Sequence, residues 1–278
     1  GSVAQRMGLN LPTHEKATEA RGPGDPINWR SVLLPLLDPT GLVKEQPLEL
    51  ADNTQAQLQA ALVRALQPLA LDPAVRAASL EKLGTLLMAA HGRQLRLIEG
   101  LAQELVNLPM DRTQVVVHWA QTSVYQLLAM VLQVGTNAEG SSTLIVQLKA
   151  VLRHAKAALH LRLSTSALRL FLVHPQWLGA AQGGPLSWAS LYLLGRYSQW
   201  FNRQSQAEEA LLGYFISANP AKAQLKNKAL RSAVNQASAE VLANLLGWRQ
   251  EDIARLFQEL PLGRATSLAE VDWVLRCQ

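Results

Sequence analysis

Residues 142–160, STLIVQLKAVLRHAKAALH, decide the fold class of this protein. Apolar residues recur there at intervals of three and four, the period that lines one face of an α-helix. That face comprises Leu144, Leu148, Val151, Leu152, Ala155 and Leu159. The stretch is longer than an ordinary strand and does not alternate between apolar and polar residues. It therefore predicts a long amphipathic helix that buries one side against a neighbour.

The same period appears earlier in the chain, where it follows residues that favour helix starts. Asn53-Thr54 opens a run with Leu58, Leu62 and Leu66 on one face. Asp72-Pro73 combines an N-cap residue with proline at the first helical position. Asp111 together with Gln114 predicts a third helix start. No alternating run bounded by hairpin turns is found, so the sequence requires no strand.

The second half of the chain repeats a pattern of paired helices. Ser164 is a predicted N-cap, and Gly247-Trp248 is a predicted helix end. Ser205 with Glu208, and Ser267 with Glu270, have the spacing of a capping box. The longer helices are predicted to begin near Ser142, Ser187, Leu225 and Ser267. Their spacing of roughly 40 residues is typical of two-helix solenoid repeats.

These patterns predict an all-α protein of stacked antiparallel helix pairs, similar to an α-solenoid. Residues 1–30 are predicted to be a linker or loop, because prolines and glycines interrupt any period there. Residues 31–142 are predicted to form a helical subdomain. Residues 143–278 are predicted to be helix-pair repeats, cut at the C-terminal end because the last apolar stripe stops without a polar capping repeat.

The composition fits a folded protein and does not point to a particular ligand. Hydrophobic residues make up 49% and charged residues 17% of the 278, which argues against disorder. The formal charge is +5, but the basic residues are spread out. The densest group, Lys222, Lys226, Lys228 and Arg231, has no interleaved aromatic residues, so it is interpreted as a solvated helix surface and no nucleic-acid partner is expected.

Neither a membrane span nor a redox site is predicted. The most apolar run, Val115–Val134, contains His118, Gln121 and Ser123 and is interpreted as one buried helix. This segment is expected not to insert directly into a membrane. No signal peptide follows Gly1. A single cysteine, Cys277, excludes an internal disulfide framework.

The sequence contains no convincing motif for catalysis, metal binding or phosphate binding. The six histidines have neither the spacing nor the adjacent glutamate of a helical zinc site, and are interpreted as polar-face or capping residues; they are His14, His91, His118, His154, His160 and His174. Gly179–Gly184 lacks the lysine and hydroxyl of a phosphate-binding loop. Gly140-Ser141-Ser142 lacks the second glycine of a nucleophile elbow, so Ser142 is predicted to be a helix cap.

Acidic pairs and tryptophans also have structural interpretations. Glu208-Glu209 and Glu251-Asp252 are placed in first helical turns, where negative charge is favourable. The tryptophans are predicted to pack between helices. The sequence thus predicts no catalytic, cofactor-binding or metal-binding residue, no cofactor and no enzyme activity.

Several strings resemble the helical shell region of toxin-complex (Tc) A subunits. Leu163–Leu168 (LSTSAL), His174–Gly179 (HPQWLG) and Leu191–Trp200 (LYLLGRYSQW) resemble the repeat signature of that family. Leu246–Ile253 (LGWRQEDI) and Ser267–Arg276 (SLAEVDWVLR) are similar to strings further along the same region. The resemblance covers residues 55–278 in style and is strongest from 143 onward.

The resemblance implies that the chain is a non-enzymatic shell segment of a pentameric, pore-forming toxin subunit. Its partners would be the rest of the A subunit and the neighbouring protomers of the homopentamer, and the full-length toxin would be secreted. The shell of that family opens with pH, which suggests a switch role for His154 and His160; their alternative interpretation is that they are exposed and inert. A free-standing helical-repeat protein that binds partners, and an enzyme with a helical core, remain as competing function classes.

Overall fold

A computed structural model of the chain confirms the all-α prediction. It describes residues 29–134, 138–179, 186–203 and 207–277, and within these ranges contains twelve α-helices, two short 3₁₀ turns and no strand. The helices are α1 (Trp29–Leu33), α2 (Thr54–Leu66), α3 (Pro73–Val106), α4 (Met110–Trp119), α5 (Val124–Gln133), α6 (Ala138–His160), α7 (Thr165–Val173), α8 (Trp188–Arg203), α9 (Glu208–Ala218), α10 (Lys228–Leu246), α11 (Gln250–Gln258) and α12 (Leu268–Arg276).

The chain forms two compact units, residues 1–156 and 157–278. The division falls inside α6, after Lys156, and the subdomain boundary predicted between residues 142 and 143 lies in the same helix. Most of the predicted linker, residues 1–28, lies outside the described ranges, whereas Trp29 and Arg30 belong to α1.

Helices α1, α2 and the first half of α3 enclose one core of the first unit. Its fully buried residues include Leu36, Leu62, Leu66 and Leu87. The predicted start of α3 is confirmed, because Asp72 Oδ1 accepts a 2.8 Å bond from the Ala74 amide and Pro73 is the first helical residue. A cap that satisfies an exposed amide contributes about 1 kcal/mol.

The irregular segment between α1 and α2 is held against α3 by one buried amide. Gln94 Oε1 accepts a 2.8 Å bond from the Val43 amide, and Gln94 Nε2 donates across 3.1 Å to the Val43 carbonyl. Gln94 thus satisfies both backbone groups of a buried residue, as a neighbouring strand would.

The prediction of one helix over Val115–Val134 is wrong. The chain forms α4 and α5, whose axes differ by 78°. The break occurs at Gln121, whose φ of +58° is left-handed, and Ser123 then caps α5 by accepting a 3.1 Å bond from the Gln126 amide. A serine cap stabilises a new helix start, which is why the apolar run does not continue straight. The predicted start at Asp111 is also displaced, because Pro109 is the N-cap of α4.

Ser142 is not a helix cap. Helix α6 begins at Ala138, so Ser142 lies within its second turn. A helix continues through glycine at a cost of about 1 kcal/mol, and Gly140 therefore does not end it.

In the second unit several predicted helix ends are confirmed. Ser164 accepts a 3.0 Å bond from the Ala167 amide, and Gly247 ends α10 in the left-handed conformation. Ser267 accepts a 3.3 Å bond from the Glu270 amide. The Glu270 carboxylate returns a bond to the amide of Thr266, one residue before the position that an ideal capping box uses.

Two predicted starts in this unit differ from the structure. Ser205 lies outside the described ranges, and α9 begins at Glu208 with Ala207 as its N-cap, so Glu208 is not the third residue of the helix. The helix predicted to begin near Leu225 begins at Lys228 as α10, after a 3₁₀ turn over Lys222–Leu225, and Asn227 caps it by accepting a bond from the Leu230 amide. Asparagine is among the strongest N-cap residues, which explains the later start.

The core of the second unit is aromatic. Phe171 of α7 makes edge-to-face contacts with Tyr197 of α8 at 5.8 Å and with Phe215 of α9 at 5.7 Å, measured between ring centroids. Tyr214 of α9 is also fully buried. Such contacts contribute about 1 kcal/mol each beyond the area that they bury. In addition, α12 packs against α8, which is not its neighbour in sequence. The solenoid-like stacking stays a prediction.

Candidate functional site

The most buried charge of the second unit is the carboxylate of Asp272 on α12. Arg196 of α8 donates to it across 2.6 Å, and Arg276 approaches it to 3.2 Å. The Tyr192 hydroxyl donates to the same carboxylate at 3.4 Å. The hydrogen bond with Asp272 raises the pKa of Arg196. This group joins α8 to α12, and its oxygens are occupied by protein donors.

A half-buried carboxylate, that of Glu208, joins three helices. Glu208 Oε1 accepts bonds from Ser164 Oγ at 2.8 Å and from the Tyr197 hydroxyl at 2.5 Å. Burial raises the pKa of Tyr197 far above its usual range, and the bond to Glu208 raises it further. The tyrosine is therefore a permanent donor in this network and not an acid near neutral pH. Glu208 lies in the first turn of α9, as predicted, and it also accepts these two hydrogen bonds from other helices.

Arg264 is a buried cation held by backbone and amide acceptors. Its Nε donates across 2.7 Å to the carbonyl of Ala218, at the end of α9, and its Nη1 donates across 3.0 Å to Asn235 Oδ1. Burial lowers the pKa of Arg264. The partial negative charge at a helix C-terminus compensates a guanidinium in this position. The sequence reasoning did not single out this residue, since an arginine near a glycine has no distinctive pattern.

Strings that carry the toxin-complex resemblance meet at the N-terminus of α12. The Ala269 amide donates across 3.2 Å to the carbonyl of Leu178. Gly179 has a φ of +76°, and a Cβ there would lie 2.7 Å from Ser267 Oγ. The rings of His174 and Trp177 stack at 3.8 Å just before this contact. The segment 174–179 therefore packs against the N-terminus of α12 through Leu178 and Gly179.

In the first unit, Glu45 lies between two histidines. His118 Nε2 is 3.5 Å from Glu45 Oε1, and the Tyr125 amide donates to Glu45 Oε2 at 3.3 Å. Burial raises the pKa of Glu45, but the contact with His118 and the other positive neighbours outweigh it and lower that pKa below the usual range. Burial lowers the pKa of His91. The negative charges of Glu45 and Asp52 raise that pKa, but burial has the larger effect. The cluster therefore favours an ionised carboxylate.

The interpretation of the histidines as polar-face residues is wrong for His91 and His154, which are buried. His154 Nδ1 is 2.7 Å from the Ala150 carbonyl, and its ring meets Trp119 edge to face at 5.1 Å. Burial lowers the pKa of His154. The hydrogen bond with the Ala150 carbonyl raises that pKa, but burial has the larger effect. His160 is exposed, as proposed for it. His14 lies outside the described ranges.

Within the part of the chain that the structure describes, no three His, Cys, Asp or Glu side chains are grouped so as to hold a metal ion. Of the glycine-rich stretch Gly179–Gly184, only Gly179 is described. In the same described ranges, no single helix has the length and hydropathy of a membrane span; α4 and α5 do so only as a pair, bent at the break between them.

The tryptophans range from buried, through the half-buried Trp29, Trp248 and Trp273, to exposed. Trp119, Trp177 and Trp200 are buried, as predicted for packing residues. Trp188, at the start of α8, is 90% exposed, so the packing interpretation is wrong for it. The lysines of the basic group, Lys222, Lys226 and Lys228, are exposed, as expected of a solvated surface.

Among the residues that the structure describes, each unit has a surface groove. An open groove of about 570 Å³ in the second unit is lined by Gly247, Trp248, Arg249, Asp252, Arg255, Leu256 and Cys277. The Arg249–Asp252 ion pair is part of its wall.

The other groove is apolar and is here named the α3/α6 groove; it comprises Leu97, Leu101 and Leu105 of α3 and Ile145, Leu148 and Leu152 of α6. An apolar cavity of about 20 Å³ lies beneath it. A surface of this kind is typical of contacts with another protein chain.

No protein-family model matches this sequence, and a search of the curated proteins finds no matching relative.

Proposed function

We propose that the chain is a non-enzymatic structural segment of the helical shell of a toxin-complex A subunit, a pentameric, pore-forming toxin of the insecticidal type. The carrying observation is the packing of the quoted strings on one another. Leu178 and Gly179 of one string contact Ser267 and Ala269 of another. Contacts between residues that are distant in sequence indicate that these strings have a packing role.

The ion pair between Arg196 and Asp272 supports the same proposal. It joins the string Leu191–Trp200 in α8 to the string Ser267–Arg276 in α12, and its Arg196 Nε and Asp272 Oδ1 atoms are 2.6 Å apart. The carboxylates of Asp272 and Glu208 accept bonds from the protein itself. Charged groups used in this way hold helices together. In the full-length protein the partners would be the rest of the A subunit and neighbouring protomers, and the protein would be secreted.

The decisive experiment is electron microscopy of the natural protein that contains this sequence. We expect a five-fold symmetric particle in which the chain forms part of the outer helical wall. A monomeric particle, or a position of this chain in the central channel, would contradict the proposal.

A second test uses the chain alone with dye-loaded liposomes. A wall segment that surrounds a channel without forming it should cause no leakage at acid or alkaline pH, and raised salt removes weak attraction of its positive charge to anionic lipid. Leakage comparable to that of a pore-forming protein would contradict the shell assignment.

The alternative is a helical-repeat module that binds other proteins, and the exposed α3/α6 groove favours it. A native partner that is recovered with the full-length protein, and is lost when this groove is altered, would support the module. Assembly into a pentamer without such a partner would support the shell.

A further inference from the structure

The α3/α6 groove is an apolar surface that the first unit leaves open. Leu97, Leu101 and Leu105 follow one another at four-residue intervals and are 43%, 37% and 53% exposed. On α6, Ile145 is 51% exposed and Leu148 and Leu152 are half-buried. Residues at these spacings lie on one side of a helix, so each helix contributes a continuous apolar stripe.

The two stripes border the same space. Leu101 and Leu105 of α3 and Leu148 and Leu152 of α6 line the 20 Å³ cavity, together with Ile98, Ala102, Val106, Leu127, Val151 and Ala155. Every lining residue is apolar. The groove therefore has a hydrophobic floor, and covering it would remove several large aliphatic side chains from water at about 25 cal/mol per Å².

The outer edge of the groove on α6 is positively charged. Lys149, Arg153 and Lys156 each follow a cavity-lining residue of α6, so they are turned about 100° from it towards solvent. All three are exposed, and none forms an ion pair with a carboxylate in the described part of the chain. The same stretch of α3 contains Arg93, Arg96, Glu99 and Glu104, whose formal charges cancel.

We propose that the α3/α6 groove binds an amphipathic helix of a partner protein, with aliphatic residues on the buried side and acidic residues along the edge that faces α6. A helix fits because two ridges of aliphatic side chains that border one space can receive a third ridge between them, and they offer no strand edge for an extended peptide. The partner is acidic because Lys149, Arg153 and Lys156 line one rim, and complementary charge fixes the orientation of a docked helix.

This inference does not depend on the shell assignment, because the groove lies in the first unit and the contacts that support the shell lie in the second. Failure of the groove experiment would leave the shell proposal unchanged. Conversely, a monomeric full-length particle would leave the groove proposal intact.

The probe is a fluorescein-labelled helical peptide of about 18 residues, with leucines at intervals of three and four flanked by glutamates. Its matched control has a lysine in place of every glutamate. Fluorescence anisotropy with the full chain should show at least about tenfold tighter binding of the glutamate peptide. The double substitution L101S/L105S should weaken that binding by at least about tenfold, because it removes the apolar floor.

The charge reversal K149E/K156E keeps the proposal testable even where a leucine substitution perturbs the fold. It should invert the preference, so that the lysine peptide binds more tightly, and loss of folding cannot produce an inversion. The matched controls are Val63→Ser and Lys82→Glu, exposed residues of the first unit outside the groove, and neither should alter binding.

Three results would overturn the proposal. The first is equal binding of the two peptides, or no binding of either. The second is binding to vesicles of anionic phospholipid that L101S/L105S abolishes, since the occupant would then be a lipid surface. The third is concentration-dependent dimerisation in analytical ultracentrifugation that the same variant abolishes, since a second copy would then cover the groove.

Discussion

Arg196 on α8 donates a 2.6 Å hydrogen bond to the buried carboxylate of Asp272 on α12, and this pair fastens two helices that are separated by 76 positions in sequence. Asp272 is 2% exposed, whereas Arg196 and Arg276 remain partly exposed. Removing its partners would therefore cost the buried carboxylate more free energy than it would cost either arginine, because solvent cannot replace those partners.

Asp272→Ala should destabilise the protein by about 2–3 kcal/mol, because it removes charge-assisted bonds and leaves two guanidinium groups without their carboxylate. The measurement is the midpoint of urea unfolding. Asp252→Ala is the matched control, since its ion pair with Arg249 is on the surface; Asp252 also lies in the first turn of α11, so this variant should lower the midpoint, but far less than Asp272→Ala. Equal losses for the two variants would show that burial of the Asp272 carboxylate is unimportant.

Gly179→Ala should cost about 2–4 kcal/mol, because its left-handed backbone disfavours a side chain and a Cβ would meet Ser267 and Ala269 below 3 Å. Gly247→Ala shares the backbone conformation but faces open space, and should cost only about 1 kcal/mol. Thermal unfolding compares the two variants. The difference between them measures the contact of Gly179 with α12, so identical melting temperatures would argue against that contact.

Gln94→Leu should destabilise the first unit by about 2–4 kcal/mol. Leucine fills a similar volume but leaves the amide and the carbonyl of Val43 buried without their partners. Gln103→Leu, at an exposed position of the same helix, is the control and should change stability little. Native-state hydrogen exchange should also show faster exchange of the Val43 amide in the Gln94 variant; an unaltered rate would mean that another group protects it.

Stability should fall as the pH is lowered from about 7.5 to about 5.5. Burial lowers the pKa of His91 and of His154 in the folded protein, so in this window the unfolded chain takes up protons that the folded chain does not. Glu45 acts at lower pH: its folded pKa is lowered, so its contribution is present above about 4.5 and is lost as the pH falls through that folded pKa.

The check is urea unfolding of the double variant H91Q/H154Q, which should show a flatter dependence of stability on pH in that window. Replacing the exposed His160 by glutamine is the control and should leave the slope as it is. A slope that H91Q/H154Q does not alter would assign the effect to other groups.

Local patterns predicted the all-α class and several helix ends because those features depend on neighbours in sequence. The caps at Asp72, Ser164 and Ser267 each bond an amide two or three residues ahead. The break at Gln121 could not be predicted in this way, because the residue with the left-handed backbone is not a glycine. An apolar run through such a site predicts one helix until the packing of both halves is known.

The polar clusters depend on contacts between distant residues, which a single sequence does not reveal. Glu208 was interpreted as a helix-dipole residue, and its bonds to Ser164 and Tyr197 cross between three helices. The burial of His154 likewise depends on Trp119, a residue of another helix. The spacing of Trp119 and His154 along the chain does not predict that they are in contact.

The sequence by itself determined which segments are helical, because the period of its apolar residues leaves one solution for burying them and its caps mark many of the ends. Only the tertiary structure decided which charges are buried and which aliphatic faces stay open. Asp272 and the exposed Leu101 both lie on helices with good apolar stripes. What separates them is the presence or absence of a second helix over the side chain, and the free energy of burial is set by that neighbour and not by the residue's place in the sequence.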